Sequence, residues 1–366
     1  LIDFIKIYIT DKTVTDRVTN LPFIHKENYS QWVNVDTGQV FVTHKYDLDG
    51  ILFFWDDFKL IIVIKPHYYF NDNKHNANDF SPTDCITTLT HIIQRLELKN
   101  TLNTLKIVGL EYGANFVIDY ADTDVLNAIY HHSTNNFYNI KDLPYCKISY
   151  KPTPKGKANV HKQYKFYSKA IQHPKYCNPN TLRAEVRSNR SKFINKLDIY
   201  TLADLLNIDT YDTLRTSFLK ETEQLLFIDI PTNTKQLTRK KRATVKKMSN
   251  PFYWQKALKK DRSKFADKKK QYFALLNKTG SNLTGSVIAG VTSKLNDLFN
   301  PKSGVTSSTP ITEKSGVTST YSIGRHYTTF KTCPVTNIDI SMQKDDSTLL
   351  SNTGLKHLEK TDKKQL

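Results

Sequence analysis

The sequence predicts an α+β domain: an antiparallel-rich sheet with helices packed on one face. Three observations lead there. Residues 1–70 are short β-branched and aromatic runs broken by turn residues. Strand-like runs outnumber helical stripes over residues 1–230. The longest helical stripe lies between strands instead of alternating with each of them.

In order, "DFIKIYI", "QWVNV", "QVFVTH", "GILFFW" and "KLIIVI" read as strands, with "DTG" and "DLDG" as turns. "FSPTDCITTLTHIIQRLEL" reads as a helix. Ser81 suits its cap, Pro82 its first turn and Asp84 its positive end, while Ile86, Leu89, Ile93 and Leu96 form an apolar stripe. A strand follows at "LKIVGLEYGANFVI", then a short helix near "DTDVLNAIYHH", in which His131 and His132 read as surface residues. "QYKFYSK" and "TLRAEVR" are two more strands. Ser191 to about Leu226 reads as helical, with a capping box at Thr201 and Asp204. The first domain is expected to span 1–230.

Charge marks the next boundary. Of the 366 residues, with net charge +18, positions 1–230 hold 27 Lys/Arg against 26 Asp/Glu, whereas 235–278 hold 16 against 2. A near-neutral body followed by a cationic segment suggests a polyanionic partner, nucleic acid first and a membrane surface second. Residues 231–278 are expected to be a basic helical DNA-binding segment, with 251–278 one long helix carrying Trp254, Leu258, Phe265, Tyr272 and Leu276 as a docking stripe. Arg239, Lys240, Lys241, Arg242, Lys246, Lys247, Lys259 and Lys260 are its candidate phosphate contacts. Residues 279–366 turn to Ser, Thr, Gly and Asn, repeat "KSGVTS" at 302 and 314, and read as a flexible linker and tail.

Other classes recede. No apolar run approaches the roughly 20 residues of a membrane span. "LIDFIKIYITDK" lacks the features of a signal peptide, so an intracellular, cytoplasmic chain is expected. Cys85, Cys146, Cys177 and Cys333 are scattered without a CxxC pair, giving neither a zinc signature nor a disulfide framework.

Three strands share one chemical character. Alternation gives each an apolar face: Leu110, Tyr112 and Ala114; Tyr164, Phe166 and Ser168; Leu182, Ala184 and Val186. The opposite faces carry Glu111 and Asn115; Lys165, Tyr167 and Lys169; Arg183, Glu185 and Arg187. Neighbouring strands would gather carboxylates that suit a hard divalent cation, cations that neutralise phosphate, and a tyrosine able to attack phosphorus once deprotonated. The glycines flanking Glu111 would leave room for a ligand. The same pattern also describes a solvated sheet face with weak cross-strand ion pairs.

"GLEYGANF", "YKFYSK" and "LRAEVRSNRSKFINKLDIYTLADLL", with "PHYYFNDNKHNANDF" before them, resemble the phage and plasmid replication initiators related to the filamentous-phage gene II replication protein. The likeness covers about residues 50 to 230. It implies an HUH-like nuclease fold, cytoplasmic action in a bacterial host, and rolling-circle initiation through a 5′-phosphotyrosine. DNA would be the partner, with host replication proteins beside it. Mapped onto this chain, it implies Tyr167 as nucleophile with Lys169 and Arg187, and Glu111 and Glu185 as ligands of Mg²⁺ or Mn²⁺. Tyr164, Asn115, His67 and His75 are the additional candidates. The chain lacks a His-hydrophobic-His pair, and Ser168 stands where the family usually has an acid. These departures leave a non-catalytic origin-binding or accessory protein of the same fold as the alternative.

Overall fold

The computed structural model describes residues 1–229, 231 and 233–300. Its strands are β1 (Ile2–Ile9), β2 (Glu27–Val33), β3 (Val40–Leu48), β4 (Ile51–Trp55), β5 (Leu60–Ile64) and β6 (Lys106–Phe116), then β7 (Ile129–His132), β8 (Asn135–Ile140), β9 (Leu143–Pro152), β10 (Ala158–Ser168), β11 (Leu182–Ser188) and β12 (Leu225–Phe227). They form one antiparallel sheet in the order β12-β7-β8-β9-β10-β11-β6-β1-β5-β4-β3-β2. The α+β class and the antiparallel sheet are as expected.

Helices Pro82–Arg95, Ile208–Thr222 and Leu283–Phe299 bury apolar side chains in the core that also holds Tyr112, Tyr164, Phe166 and Val186. Pro82–Arg95 begins as its sequence requires. The Ser81 hydroxyl accepts from the Asp84 amide at 3.1 Å, and the Asp84 carboxylate accepts from the Ser81 amide at 3.0 Å.

Several expectations are corrected. Strands β7, β8, β9 and β12 had no clear signature, because "NNFYNI" and "LPYCKISYKP" mix Asn, Lys and Pro into half-buried positions. "YHH" is the end of a strand, not of a helix. Pairing with β12 and β8 buries His131 and His132, which were expected at the surface. His132 stacks on Tyr164 with ring centroids 4.6 Å apart and meets Glu221 at 3.0 Å.

The helix expected over Ser191 to Leu226 is broken at Asp198, whose φ of 57° is left-handed, and its regular part is Ile208–Thr222. The Thr201–Asp204 box caps a short 3₁₀ turn.

The single basic helix is two, Pro251–Lys260 and Phe265–Leu276. Asp261 interrupts it by accepting from the amides of Ser263 and Lys264 at 3.1 and 3.2 Å. With Arg239–Met248 they close a second core of Leu237, Val245, Met248, Trp254, Phe265 and Tyr272, the docking role expected of that stripe.

Residues 283–299, expected within a flexible linker, form a helix instead. Leu283, Val287, Val291 and Leu295 are buried in the main core, and their spacing of four residues is the physical reason. The "KSGVTS" repeats, Cys333 and the C-terminal apolar stretch lie outside the described residues.

Candidate functional site

Strand register builds the site. In β10 and β11, Lys165 lies opposite Glu185 and Tyr167 opposite Arg183. In β11 and β6, Arg183 lies opposite Asn115 and Arg187 opposite Glu111. Because side chains alternate, all of these project to one face. The predicted gathering of Glu111, Asn115, Lys165, Tyr167, Lys169, Glu185 and Arg187 is therefore present.

That face is not solvated. Glu185 is 1 % exposed, Arg183 2 %, Lys169 0 % and Tyr167 5 %. The cover is the stretch after β5, from the short helix Pro66–Phe70 through the loop to Ser81. Asn76 and Asn78 hold it down. The Asn115 amide donates to their backbone oxygens at 3.2 and 3.1 Å, and Lys169 Nζ donates to Asn76 Oδ1 at 2.5 Å.

Inside, the charges pair closely. Lys165 Nζ donates to Glu111 at 2.8 Å and lies 3.4 Å from Glu185. Arg183 donates to Glu185 at 2.6 Å and to Asn115 at 2.8 Å, and pairs with Asp3. Arg187 sits at the rim, 3.5 Å from Glu111. The Tyr167 hydroxyl donates to Glu185 Oε1 at 2.7 Å, with Lys169 Nζ at 3.3 Å from the same hydroxyl and over its ring.

Asp3 was missed. Strict alternation along "DFIKIYI" places it with Ile5 and Ile7 on the core face. A bulge between Ile2 and Phe4, opposite β6, turns it to the charged side. The available signal was a lone carboxylate at a position that alternation assigns to the apolar Ile5–Ile7 face.

Oxygens of Asp3, Glu111 and Glu185 lie within 4.8 Å of one another, so this buried triad could hold a metal ion. An all-oxygen donor set suits a hard divalent cation. Its charge would compete with Lys165, whose ammonium already bridges two of the three carboxylates.

Three carboxylates this close cannot all ionise freely. Burial and the Glu111 charge push Glu185 up to about 8. Burial acts on Glu111 in the same direction, but Lys165 and Arg187 outweigh it and hold that carboxyl below its usual range. Asp3 is likewise held low against its burial, chiefly by Arg183. Burial, reinforced by Glu185, raises the Tyr167 phenol well above 10. At rest Tyr167 is a protonated donor to Glu185, which becomes a base only once it ionises, at about 8.

The remaining candidates separate. Tyr164 faces the core, its hydroxyl 3.0 Å from Thr222 Oγ1, which removes it as a nucleophile for this face. Ser168 shares that side and bonds the buried Asp122, so its identity does not alter the charged cluster. His67 is buried between Asp3 at 3.2 Å and Asn78 at 2.9 Å, as a support of the acidic triad. His75 lies outside the cluster, stacked on Tyr176 at 4.0 Å.

The glycines beside Glu111 do not make room for a ligand. A Cβ on Gly113 would collide with the Ala184 carbonyl oxygen, and one on Gly109 would lie 2.8 Å from Lys6 Cβ. Both admit the chain's own neighbouring strands.

Arg239, Lys240, Lys241, Arg242, Lys246 and Lys247 are exposed on Arg239–Met248, and Lys259 and Lys260 are exposed where Pro251–Lys260 ends. Phe252 is 74 % exposed among them. Among the described residues, no helix is long and apolar enough to cross a membrane. No protein-family model, curated protein or solved structure matches the chain.

Proposed function

We propose that the chain is a replication initiator of the HUH-like type, which nicks one strand of phage or plasmid DNA through Tyr167 in a bacterial cytoplasm. The observation that carries this reading is the Tyr167 hydroxyl. It lies 2.7 Å from a carboxylate able to take its proton and 3.3 Å from a lysine able to stabilise the resulting oxyanion. The motifs around Glu111, Tyr167 and Glu185 that resemble the replication initiators support it as well.

In this reading the ionised form of Glu185, which is populated as pH rises through about 8, accepts the phenolic proton. The Tyr167 oxygen bonds to phosphorus, the bond from phosphorus to the 3′ oxygen breaks, and the leaving oxygen takes up a proton to become a priming 3′-hydroxyl. Lys169 and Arg187 neutralise the phosphate. Mg²⁺ or Mn²⁺ held by Asp3, Glu111 and Glu185 would supply Lewis-acid polarisation of that phosphate. Tyr167 is 5 % exposed, so the 66–80 segment must lift before DNA reaches it, breaking the Lys169–Asn76 hydrogen bond. The basic helices would hold adjacent duplex or single strand without sequence preference.

The test is a nicking assay on supercoiled and single-stranded DNA of the parent replicon with Mn²⁺. Wild type should leave protein joined to the new 5′ end. Tyr167→Phe should bind DNA and leave no such adduct. Cutting by Tyr167→Phe at the wild-type rate would remove Tyr167 from the mechanism.

A second reading, an origin-binding or accessory protein with an inactive centre, is favoured by the closure of the ion-pair set around Lys165. It expects binding without cutting, indifferent to divalent metal.

A further inference from the structure

Beside the buried centre lies an aromatic surface that the nicking chemistry leaves unused. The loop between Lys169–Gln172 and β11 reads "HPKYCNPNT", and residues 169–181 contain Lys169 and Lys175 but no carboxylate. Tyr176, in this loop, is 44 % exposed. One face of its ring is covered by His75, at 4.0 Å between centroids and 27° between planes. His173 stands edge-on to both rings at 6.4 Å, and its Nε2 is hydrogen-bonded to the Tyr68 hydroxyl at 3.1 Å.

The position ties this surface to the centre. His75 directly precedes Asn76, whose side chain holds Lys169 Nζ, and Lys169 lies against the Tyr167 hydroxyl. Burial, with the Lys169 charge second, holds His75 and His173 below the ordinary histidine range, His173 at about 4, so neutral rings face the surface at neutral pH. An exposed ring already fixed by a second ring loses little freedom when a third planar group stacks on it. Nucleobases suit such a surface because every base offers a π-face, and the exposed Lys175 next to Tyr176 in the chain suits the phosphates that join them. Another stack, Trp32 on Phe41 at 4.2 Å, belongs to hairpins whose turns carry the carboxylates Asp36 and Asp57, which repel phosphate.

We infer that Tyr176 and His75 form a stacking platform for a base of single-stranded DNA next to the Tyr167 centre. The inference rests on the nicking reading for its substrate class and adds a subsite that would hold the strand in the closed state, before the 66–80 segment that carries His75 lifts. Its test measures binding alone, so the two can fail separately.

Fluorescence anisotropy, in EDTA at fixed salt, would compare a short labelled oligothymidylate with an abasic oligonucleotide of equal length and charge. Wild type should prefer the base-bearing strand. Tyr176→Ala should lose about fivefold to a hundredfold of that preference, with affinity for the abasic strand unchanged. Tyr176→Phe should retain the preference, and His75→Ala should weaken it by a smaller factor. Irradiation with an iodouracil-substituted strand should cross-link the peptide containing Tyr176.

No preference in wild type, an unchanged preference in Tyr176→Ala, or cross-links confined to residues 239–276 would overturn the platform. If the preference holds while wild type never cuts DNA, the platform stands on a DNA-binding protein. If cutting persists without the preference, the nickase reading stands and the platform falls.

Discussion

Two cationic regions of this protein differ in how their charge is held. On the sheet, Lys165, Lys169 and Arg183 are buried together with Asp3, Glu111 and Glu185. Each has a carboxylate, amide or phenol within hydrogen-bond distance. On the helix Arg239–Met248 the cations are exposed, and among the described residues none of Arg239, Lys240, Lys241, Arg242 or Lys246 forms an ion pair. Buried charges are satisfied by fixed geometry, and each depends on its neighbours. Exposed charges interact through water, fall off with salt and act nearly independently. The first arrangement suits chemistry at one atom. The second suits attraction to a polyanion whatever its sequence.

The sharpest way to break this comparison is to remove one buried cation. Arg183→Ala strips a partner from Asp3, Asn115 and Glu185 at once. It should cost about 3–5 kcal/mol in urea unfolding. A cost below about 1 kcal/mol, the range of an exposed pair, would mean the cluster is not closed in solution.

The basic helix should behave in the opposite way. Replacing Arg239, Lys240, Lys241 and Arg242 together by alanine should leave the unfolding midpoint nearly unchanged. The slope of log K for DNA against log salt should become shallower by roughly 0.9 for each phosphate that is no longer neutralised. An unchanged slope would place the DNA-binding surface elsewhere.

The comparison is sharpened further by the pH dependence of stability. Glu185 keeps its proton up to about 8 in the folded protein, against an ordinary value of 4.5. Between those values the folded state binds more protons than the unfolded one, so stability falls as pH rises through this window. The contribution is fully present below 4.5 and gone above about 8. Glu185→Gln should flatten that fall in melts taken across the window. Asp3 and Glu111, held low, act in the opposite direction at more acid pH. A fall that persists in Glu185→Gln would assign the proton to another group.

How much was legible follows from the range of each signal. Alternation in "GLEYGANF", "QYKFYSK" and "TLRAEVR" is a local property of the extended chain, and it placed Glu111, Tyr167 and Glu185 on one face correctly. Ser81 and Asp84 announced a helix start because a cap involves only its own four residues. Composition misled at 283–299, where Ser, Thr and Gly hid a four-residue apolar repeat. It misled again at 251–278, where one Asx turn at Asp261 outweighed a continuous stripe.

By itself the sequence determined which side chains share a face and where cationic charge accumulates, since both depend only on residue order and backbone period. Only the tertiary structure decided that this face is buried, because the cover comes from the 66–80 segment and its asparagines. It also decided that Asp3 completes the acidic triad. Asp3 lies at a bulge whose partner strand is about a hundred residues away, and no local pattern encodes a register shift that distant.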